Sequence, residues 1–128
     1  MIQFTKLHGN GNDFIVIDEY NGLVVPDNIK PGFAEKYCSR RFGIGADGVI
    51  FLSGSETSDI KMRLFQPDRS EAEMCGNGVR CVAKYAFDHG LVDRTEISIE
   101  TGAGILPLTM YPNEKEPIEK VRVNMGPP

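Results

Sequence analysis

The stretch GVRCVAKYAFDH (residues 78–89) is the most informative part of the chain for its architecture. Its charged residues Arg80, Lys84 and Asp88 follow one another at intervals of four, which places them on one narrow stripe of a helix. A helix that is apolar around most of its surface is surrounded by other elements. The sequence therefore predicts a central helix wrapped by a sheet. The positions expected to be buried are Val79, Val82, Ala83 and Ala86.

The rest of the chain reads as strands and one further helix. Pro31 stands at a favoured first position of a helix predicted over about residues 31–41, which Gly43 ends. A glycine- and asparagine-rich loop at residues 8–13 joins the first two strands. We predict a single α+β domain over residues 1–128, with a mostly antiparallel sheet around the central helix. The predicted strands cover residues 1–7, 14–19, 49–52, 60–65, 96–100, 105–110 and 121–123.

Composition limits the classes of partner. The chain has 128 residues, 41% of them hydrophobic and 25% charged, as in ordinary globular domains. Its net charge of −4 does not favour nucleic acid or an anionic membrane, so a small zwitterionic partner is the better interpretation. No apolar run has the length of a membrane span, and a cytoplasmic location is expected.

Three cysteines, Cys38, Cys75 and Cys81, have to be explained. An odd number argues against a disulfide framework, and the spacing does not match a zinc site, so no metal is predicted. Cys38 and Cys81 fall on apolar helix faces, where a buried, inert thiol is the usual case. Cys81 follows Cys75 by six residues, which turns it well away from the start of the helix.

Cys75 precedes the central helix within the sequence CGNG (residues 75–78). The first N–H groups of a helix bind carboxylate or phosphate, and they also lower the pKa of a nearby cysteine. An anion cradle beside a thiolate suits removal of the α-proton of an amino acid. Glu71 and Glu73 would oppose the thiolate if they lay close. From the residues alone, Cys75 is equally well a structural thiol and Asn77 a capping residue.

Two other features are interpreted without a catalytic role. The sequence GIGADG (residues 43–48) matches GxGxxG, but it follows a predicted helix and precedes a strand, which is the wrong order for a dinucleotide site. His8 and His89 are read as a loop residue and a helix-capping residue.

Three blocks together carry a resemblance to a known family. They are FTKLHGNGNDF (residues 4–14), RFGIGADG (residues 41–48) and SEAEMCGNGVRC (residues 70–81). Their order and spacing resemble the signature blocks of diaminopimelate epimerases. VRVNMG (residues 121–126) is similar to the segment that closes the first domain of that family.

The resemblance implies two similar halves, each a sheet around a central helix, with the substrate between them. It implies interconversion of LL- and meso-diaminopimelate in lysine and cell-wall precursor synthesis, without pyridoxal phosphate or another cofactor. One cysteine from each half would transfer the proton. By position, Cys75 is the thiol of the first half, Gly76 and Asn77 bind the reacting end of the substrate, and Asn12 is a further contact.

Departures from the family pattern leave alternatives open. The family usually reads FNxDGSE where this chain has FQPDRSE (residues 65–71), so Gln66 takes the place of a substrate-binding Asn and Arg69 that of a turn glycine. Gly48 stands where some members have a Gln that contacts substrate. A racemase or isomerase acting on proline, histidine or a phenazine precursor is therefore the alternative.

The partner expectations follow from the same resemblance. The second half, with the second cysteine, lies outside these 128 residues and is the expected partner, docked on exposed apolar surface. A homodimer is left open. Without its partner half the chain would be an inactive substrate-binding domain.

Overall fold

The computed structural model describes residues 3–9, 12–41, 43–73, 76–111 and 120–123. Within these residues the chain forms strands and two helices, and the predicted α+β class is confirmed. In chain order the elements are β1 (Thr5–Gly9), β2 (Asn12–Asp18), α1 (Lys30–Cys38), β3 (Gly48–Ser53), β4 (Ile60–Phe65), β5 (Glu71–Ala72), α2 (Gly76–Asp88), β6 (Glu96–Thr101), β7 (Gly104–Tyr111) and β8 (Lys120–Val123).

All the strands belong to one sheet, ordered β1-β2-β3-β4-β6-β7-β8, with β5 paired to β4. Most pairs are antiparallel, as predicted, but β2–β3 and β4–β6 are parallel. A parallel pair needs a crossover connection, and α1 and α2 lie in these two connections. Since β4 runs antiparallel to β2 and crossovers are right-handed, the two helices are expected on opposite faces of the sheet.

The helices do pack on opposite faces, each with its own apolar core. Side chains alternate along the central strands. Val16 and Ile50 belong to the α2 core, while Ile17 and Phe51 belong to the α1 core. β2 and β3 are therefore buried on both faces, which explains their continuous apolar sequence.

Helix α2 is enclosed as predicted. It contacts β1, β2, β3, β4 and β8, and the four positions predicted to be buried are each 0% exposed. The charged stripe faces outward, with Arg80 exposed and Lys84 Nζ 3.8 Å from Asp88 Oδ2. Cys81 is buried in this core and Cys38 in the other, as predicted. Neither described helix is long and apolar enough to cross a membrane.

Helix α1 ends at Cys38, so the predicted end near residue 41 is wrong. The chain turns away at Ser39, whose ψ is 125°, and then folds back over the helix end. The N–H groups of Ile44 and Ala46 donate to the carbonyls of Tyr37 and Cys38 at 2.9 and 3.1 Å. These bonds satisfy carbonyls that the helix leaves without partners.

The first hairpin is tighter than predicted. β1 extends to Gly9 and β2 begins at Asn12, and these two residues pair directly. Asn12 and Asp13 are therefore strand residues rather than part of a loop over residues 8–13. The first two predicted strand positions lie outside the described residues. The two-residue strand β5 was not predicted.

A buried ion pair between Glu19 and Lys30 joins the two ends of the segment that connects β2 to α1. Lys30 is 1% exposed, and its Nζ lies 3.2 Å from Glu19 Oε1 and 2.6 Å from the carbonyl oxygen of Val25. Asp27 Oδ1 is a third partner at 2.7 Å. Glu19 Oε2 accepts the N–H groups of Val24 and Val25, both at 2.9 Å. Both buried charges are thus paired and hydrogen-bonded, as buried charges must be.

Candidate functional site

The start of α2 forms the centre of the site. The helix begins at Gly76, two residues before the predicted start, so Gly76 and Asn77 belong to its first turn. The first N–H groups of a helix have no partner within it and attract negative charge. Cys75 directly precedes this turn in sequence but lies, with Met74, outside the described residues. Its catalytic role stays a prediction.

The structure brings together two of the predicted substrate-binding residues. Asn77 Nδ2 donates to Asn12 Oδ1 at 2.6 Å, although the residues are 65 positions apart in sequence. Both side chains are half-buried. Their contact joins the start of α2 to the start of β2, and hence the first and third sequence blocks.

Asp47, from the second block, joins this pair. Its Oδ2 accepts the backbone N–H of Asp13 at 2.8 Å and the side-chain N–H of Asn12 at 3.4 Å. The N–H of Asp47 in turn donates to the carbonyl oxygen of Asp13 at 2.8 Å. Sequence reasoning missed Asp47, although its place between glycines in the second block was a usable signal.

Two cationic side chains, from Arg40 and Lys6, form ion pairs with the carboxylates of this cluster of Asn12, Asp13 and Asp47. Arg40 Nη2 lies 3.1 Å from Asp13 Oδ1 and 3.2 Å from Asp47 Oδ1, and Lys6 Nζ lies 3.2 Å from Asp13 Oδ2. The hydrogen bond from Arg40, with support from Lys6, keeps the pKa of the Asp13 carboxyl well below its usual range. Asp13 is therefore ionised at neutral pH, and the cluster keeps its ion pairs.

Gln66 lies in the exposed turn between β4 and β5, bound to that turn. Its Oε1 accepts from Ser70 Oγ at 3.1 Å, and its N–H donates to the carbonyl oxygen of Ser70 at 2.8 Å. Arg69 in the same turn has a φ of 76°, in the region that favours glycine. A substrate contact by Gln66 stays a prediction.

Residues 71–73, which precede Met74 and Cys75 in sequence, are hydrogen-bonded to two other parts of the chain. Arg63 makes two hydrogen bonds to Glu71, at 2.9 and 3.0 Å, which lower the pKa of Glu71 and balance its charge. The carbonyl oxygen of Glu73 accepts the N–H of Ala103 at 3.1 Å. A Cβ at Gly102 would lie 3.0 Å from Glu73 Cα, so this close approach favours glycine.

Other predicted features are poorly suited to proton transfer or binding. Burial, followed by the charge of Asp47, raises the pKa of the Cys38 thiol to about 11, so this thiol is protonated at neutral pH. A Cβ at Gly48 would lie 2.8 Å from Leu64 Cδ1 and 3.2 Å from the carbonyl oxygen of Phe65, so a side chain here would require Leu64 to shift. Among the described residues, no cluster of His, Cys, Asp or Glu is placed to hold a metal ion.

A separate cavity of about 920 Å³ lies at the other end of α2. Tyr85 OH donates to Asp18 Oδ2 at 3.0 Å beside it, and burial raises the pKa of Tyr85 to about 12. His89 Nδ1 lies 2.9 Å from the carbonyl oxygen of Tyr85, a contact that fits the predicted capping role. Three exposed apolar side chains line the cavity: Phe4, Leu23 and Val24.

Comparison with known sequences extends these observations. The family model described as diaminopimelate epimerase matches residues 4–128. The chain is 54% identical to a diaminopimelate epimerase of Methanothrix thermoacetophila, over 99% of this chain and 44% of the relative. It is 50% identical to a diaminopimelate epimerase of Agathobacter rectalis, over 99% of this chain and 43% of the relative. The chain thus spans less than half the length of these curated relatives.

Solved structures with similar folds come from racemases and related proteins. A probable proline racemase from Agrobacterium radiobacter superposes with a TM-score of 0.75 at 21% identity, over 98% of this chain and 42% of the other. A PhzF-family phenazine biosynthesis protein from Bacillus anthracis gives a TM-score of 0.66 at 28% identity, over 90% of this chain and 36% of the other. At 21% identity the likeness to the racemase shows the fold alone.

Proposed function

The chain belongs to the diaminopimelate epimerase family, and we propose that the protein carrying it interconverts LL- and meso-diaminopimelate by α-proton transfer. The reaction would serve lysine and cell-wall precursor synthesis and would need no cofactor. The match over residues 4–128 is the main support, together with the identity of about half the residues to named epimerases.

In the proposed reaction, Cys75 removes the α-proton as a thiolate or returns a proton as a thiol. A free thiol has a pKa of about 8.5, which a helix N-terminus lowers toward neutrality. The first N–H groups of α2, at Gly76 and Asn77, would bind the α-carboxylate and stabilise the negative charge that spreads onto it. A second cysteine, from the half outside these residues, would serve the opposite face of the α-carbon.

The observation that best supports this site is the hydrogen bond between Asn12 and Asn77. Their positions in separate sequence blocks predict both as substrate contacts, and their side chains are neighbours at the start of α2. Asn12, Asn77 and Gly76 are therefore proposed as substrate-binding residues. Gln66 is proposed with them because it follows β4 directly and its turn leads, through β5, to Cys75.

A related reaction is the second candidate. Gln66 stands where the family pattern has Asn, and its amide is displaced by one methylene. The similar folds include a proline racemase and a phenazine biosynthesis protein, so the fold is compatible with other substrates. The reaction type, proton transfer at a carbon beside a carboxylate, is common to both candidates for this chain.

The test is solvent deuterium incorporation by the full-length protein in deuterium oxide, with diaminopimelate, proline and histidine as substrates. We expect deuterium at the α-carbon of diaminopimelate. Incorporation into another amino acid, and none into diaminopimelate, would replace the substrate assignment.

The thiol is tested in the same assay. Cys75→Ser is expected to lower the exchange rate at least about 100-fold, because a hydroxyl is a far weaker base than a thiolate. Cys81→Ser is the matched control and should affect stability only, since Cys81 is buried in the α2 core. Equal loss of activity in two folded variants would reverse the assignment.

Residues 1–128 would form the first of two similar halves, and the second half would be their partner. Assembly into a homodimer and the cytoplasmic location stay predictions.

A further inference from the structure

We propose that Asp47 is a positioning residue, which orients the Asn12–Asn77 amide pair and so decides which atoms of Asn77 face the substrate. This inference rests on the proposed function, because it assigns a role in substrate binding. It concerns the second sequence block, to which no substrate contact has been assigned.

The orientation follows from the chemistry of the three side chains. An ionised carboxylate can only accept hydrogen bonds, whereas an Asn amide has a donating and an accepting end of nearly equal shape. Asp47 Oδ2 therefore selects the NH₂ end of Asn12, which lies 3.4 Å away. The carbonyl end of Asn12 is then turned toward Asn77 and accepts from its Nδ2 at 2.6 Å.

The consequence for Asn77 is a fixed polarity. Its NH₂ group is directed to Asn12, so its Oδ1 points to the opposite side of the amide. An amino-acid substrate carries an α-ammonium group beside its α-carboxylate. With the N–H groups of α2 available for the carboxylate, Asn77 Oδ1 would accept from the ammonium. A reversed Asn77 would present NH₂ to that ammonium and weaken binding.

Hydrogen bonds and an ion pair fix the position of the Asp47 carboxylate. Its backbone N–H bonds to the carbonyl oxygen of Asp13, and its Oδ2 accepts the N–H of the same residue, both at 2.8 Å. Its other oxygen faces Arg40 Nη2 at 3.2 Å. The acceptor that faces Asn12 is therefore fixed relative to strand β2, on which Asn12 lies.

Two variants of the full-length protein separate an acceptor role from a charge role. Asp47→Asn keeps an oxygen facing Asn12 and the N–H of Asp13 but loses the charge. Asp47→Glu keeps the charge for Arg40 but moves the oxygens by one methylene. We expect KM for diaminopimelate to stay within about threefold in Asp47→Asn and to rise about tenfold in Asp47→Glu, with kcat nearly unchanged in both.

Asp59 supplies a matched control. Its Oδ2 accepts the N–H of Ser98 at 2.8 Å and its Oδ1 is paired with Arg94, an arrangement similar to that of Asp47. It lies between β3 and β4 and binds β6, away from the Asn12–Asn77 pair. Asp59→Asn and Asp59→Glu should lower the melting temperature and leave KM unchanged.

A measurement without substrate separates this inference from the proposed function. In the full-length protein, hydrogen exchange of the Asn77 side-chain amide should be equally slow in wild type and Asp47→Asn, and about tenfold faster in Asp47→Glu. Equal exchange in all three proteins, or a KM higher in Asp47→Asn than in Asp47→Glu, overturns the role of Asp47. If wild type acts on another amino acid, the KM order is measured with that substrate, and only the proposed substrate fails.

Discussion

Arg69 adopts a backbone conformation that suits a different residue. Its φ of 76° lies in the left-handed region, where an L side chain is strained. The turn around it is nevertheless well bonded, since its N–H donates to the carbonyl oxygen of Gln66 at 3.0 Å. Its guanidinium lies near the start of α1, where a Cβ on Gly32 would be 3.2 Å from Nη2. The exposed side chain thus occupies a position for which the backbone favours glycine.

Replacing this residue tests how much strain the turn carries. We expect Arg69→Gly to raise the free energy of unfolding by about 0.5–1 kcal/mol, because relief of the strain exceeds the entropic cost of glycine. Urea denaturation measures the change. Arg69→Ala is the control, since it removes the guanidinium and keeps the strain. A glycine variant no more stable than the alanine variant would contradict this explanation.

Helix α1 depends on the segment that follows it. Gly43 crosses its end so closely that an added Cβ would lie 2.5 Å from the carbonyl oxygen of Lys36 and 2.8 Å from that of Tyr37. Backbone oxygens cannot move aside as a flexible side chain can. The same segment continues to Asp47, so the closure of α1 also places the Asp47 side chain beside Asn12.

Gly43→Ala is therefore expected to be destabilising. Overpacking against the helix end should cost about 1–3 kcal/mol of the free energy of unfolding, measured from the urea midpoint. Gly54→Ala is the control, because nothing lies within 4 Å of the added Cβ and its φ is not in the left-handed region. If both alanine variants unfold at the same urea concentration as wild type, the close approach has no energetic consequence.

The elements differ in how far local sequence determines them. The sequence predicts helix α2 correctly because its own residues are apolar around most of its surface, which indicates that other elements surround it. The sequence does not predict the end of α1, because that end depends on hydrogen bonds from residues 43–46 to the last carbonyls of the helix, and nothing in the helix sequence signals them. The Asn12–Asn77 contact and the role proposed for Asp47 depend on pairings across 65 and 35 residues. Such pairings follow from the order of the strands in the sheet, which no local stretch of sequence determines.

At the scale of the whole molecule, α2 connects two different surfaces. Its first turn carries the Asn12–Asn77 pair, and its last turn borders the cavity lined by Phe4, Leu23 and Val24. The three side chains are 46%, 66% and 40% exposed, so this end of the domain leaves apolar surface uncovered. Such surface is typical of a place where another chain or segment binds.

We predict that the isolated 128-residue chain does not exchange α-protons at an enzyme-like rate. Inversion by two bases needs an acid on each face of the α-carbon, and Cys38 and Cys81 are buried in the cores. Deuterium incorporation into diaminopimelate, with the full-length protein as the reference, measures the difference. Rapid exchange by the isolated chain would contradict this prediction: with inversion at the α-carbon a second copy supplies the opposite acid, and with retention Cys75 acts alone.

The buried amine of Lys30 gives the protein an internal reporter of local opening. With Nζ held by Glu19, Val25 and Asp27 and only 1% of the side chain exposed, an acylating reagent cannot reach it in the closed structure. Labelling of this amine therefore requires residues 19–30 to separate, whereas Lys84 on the outer stripe of α2 can react at once. The ratio of the two labelling rates would follow how often that segment opens, without any engineered probe.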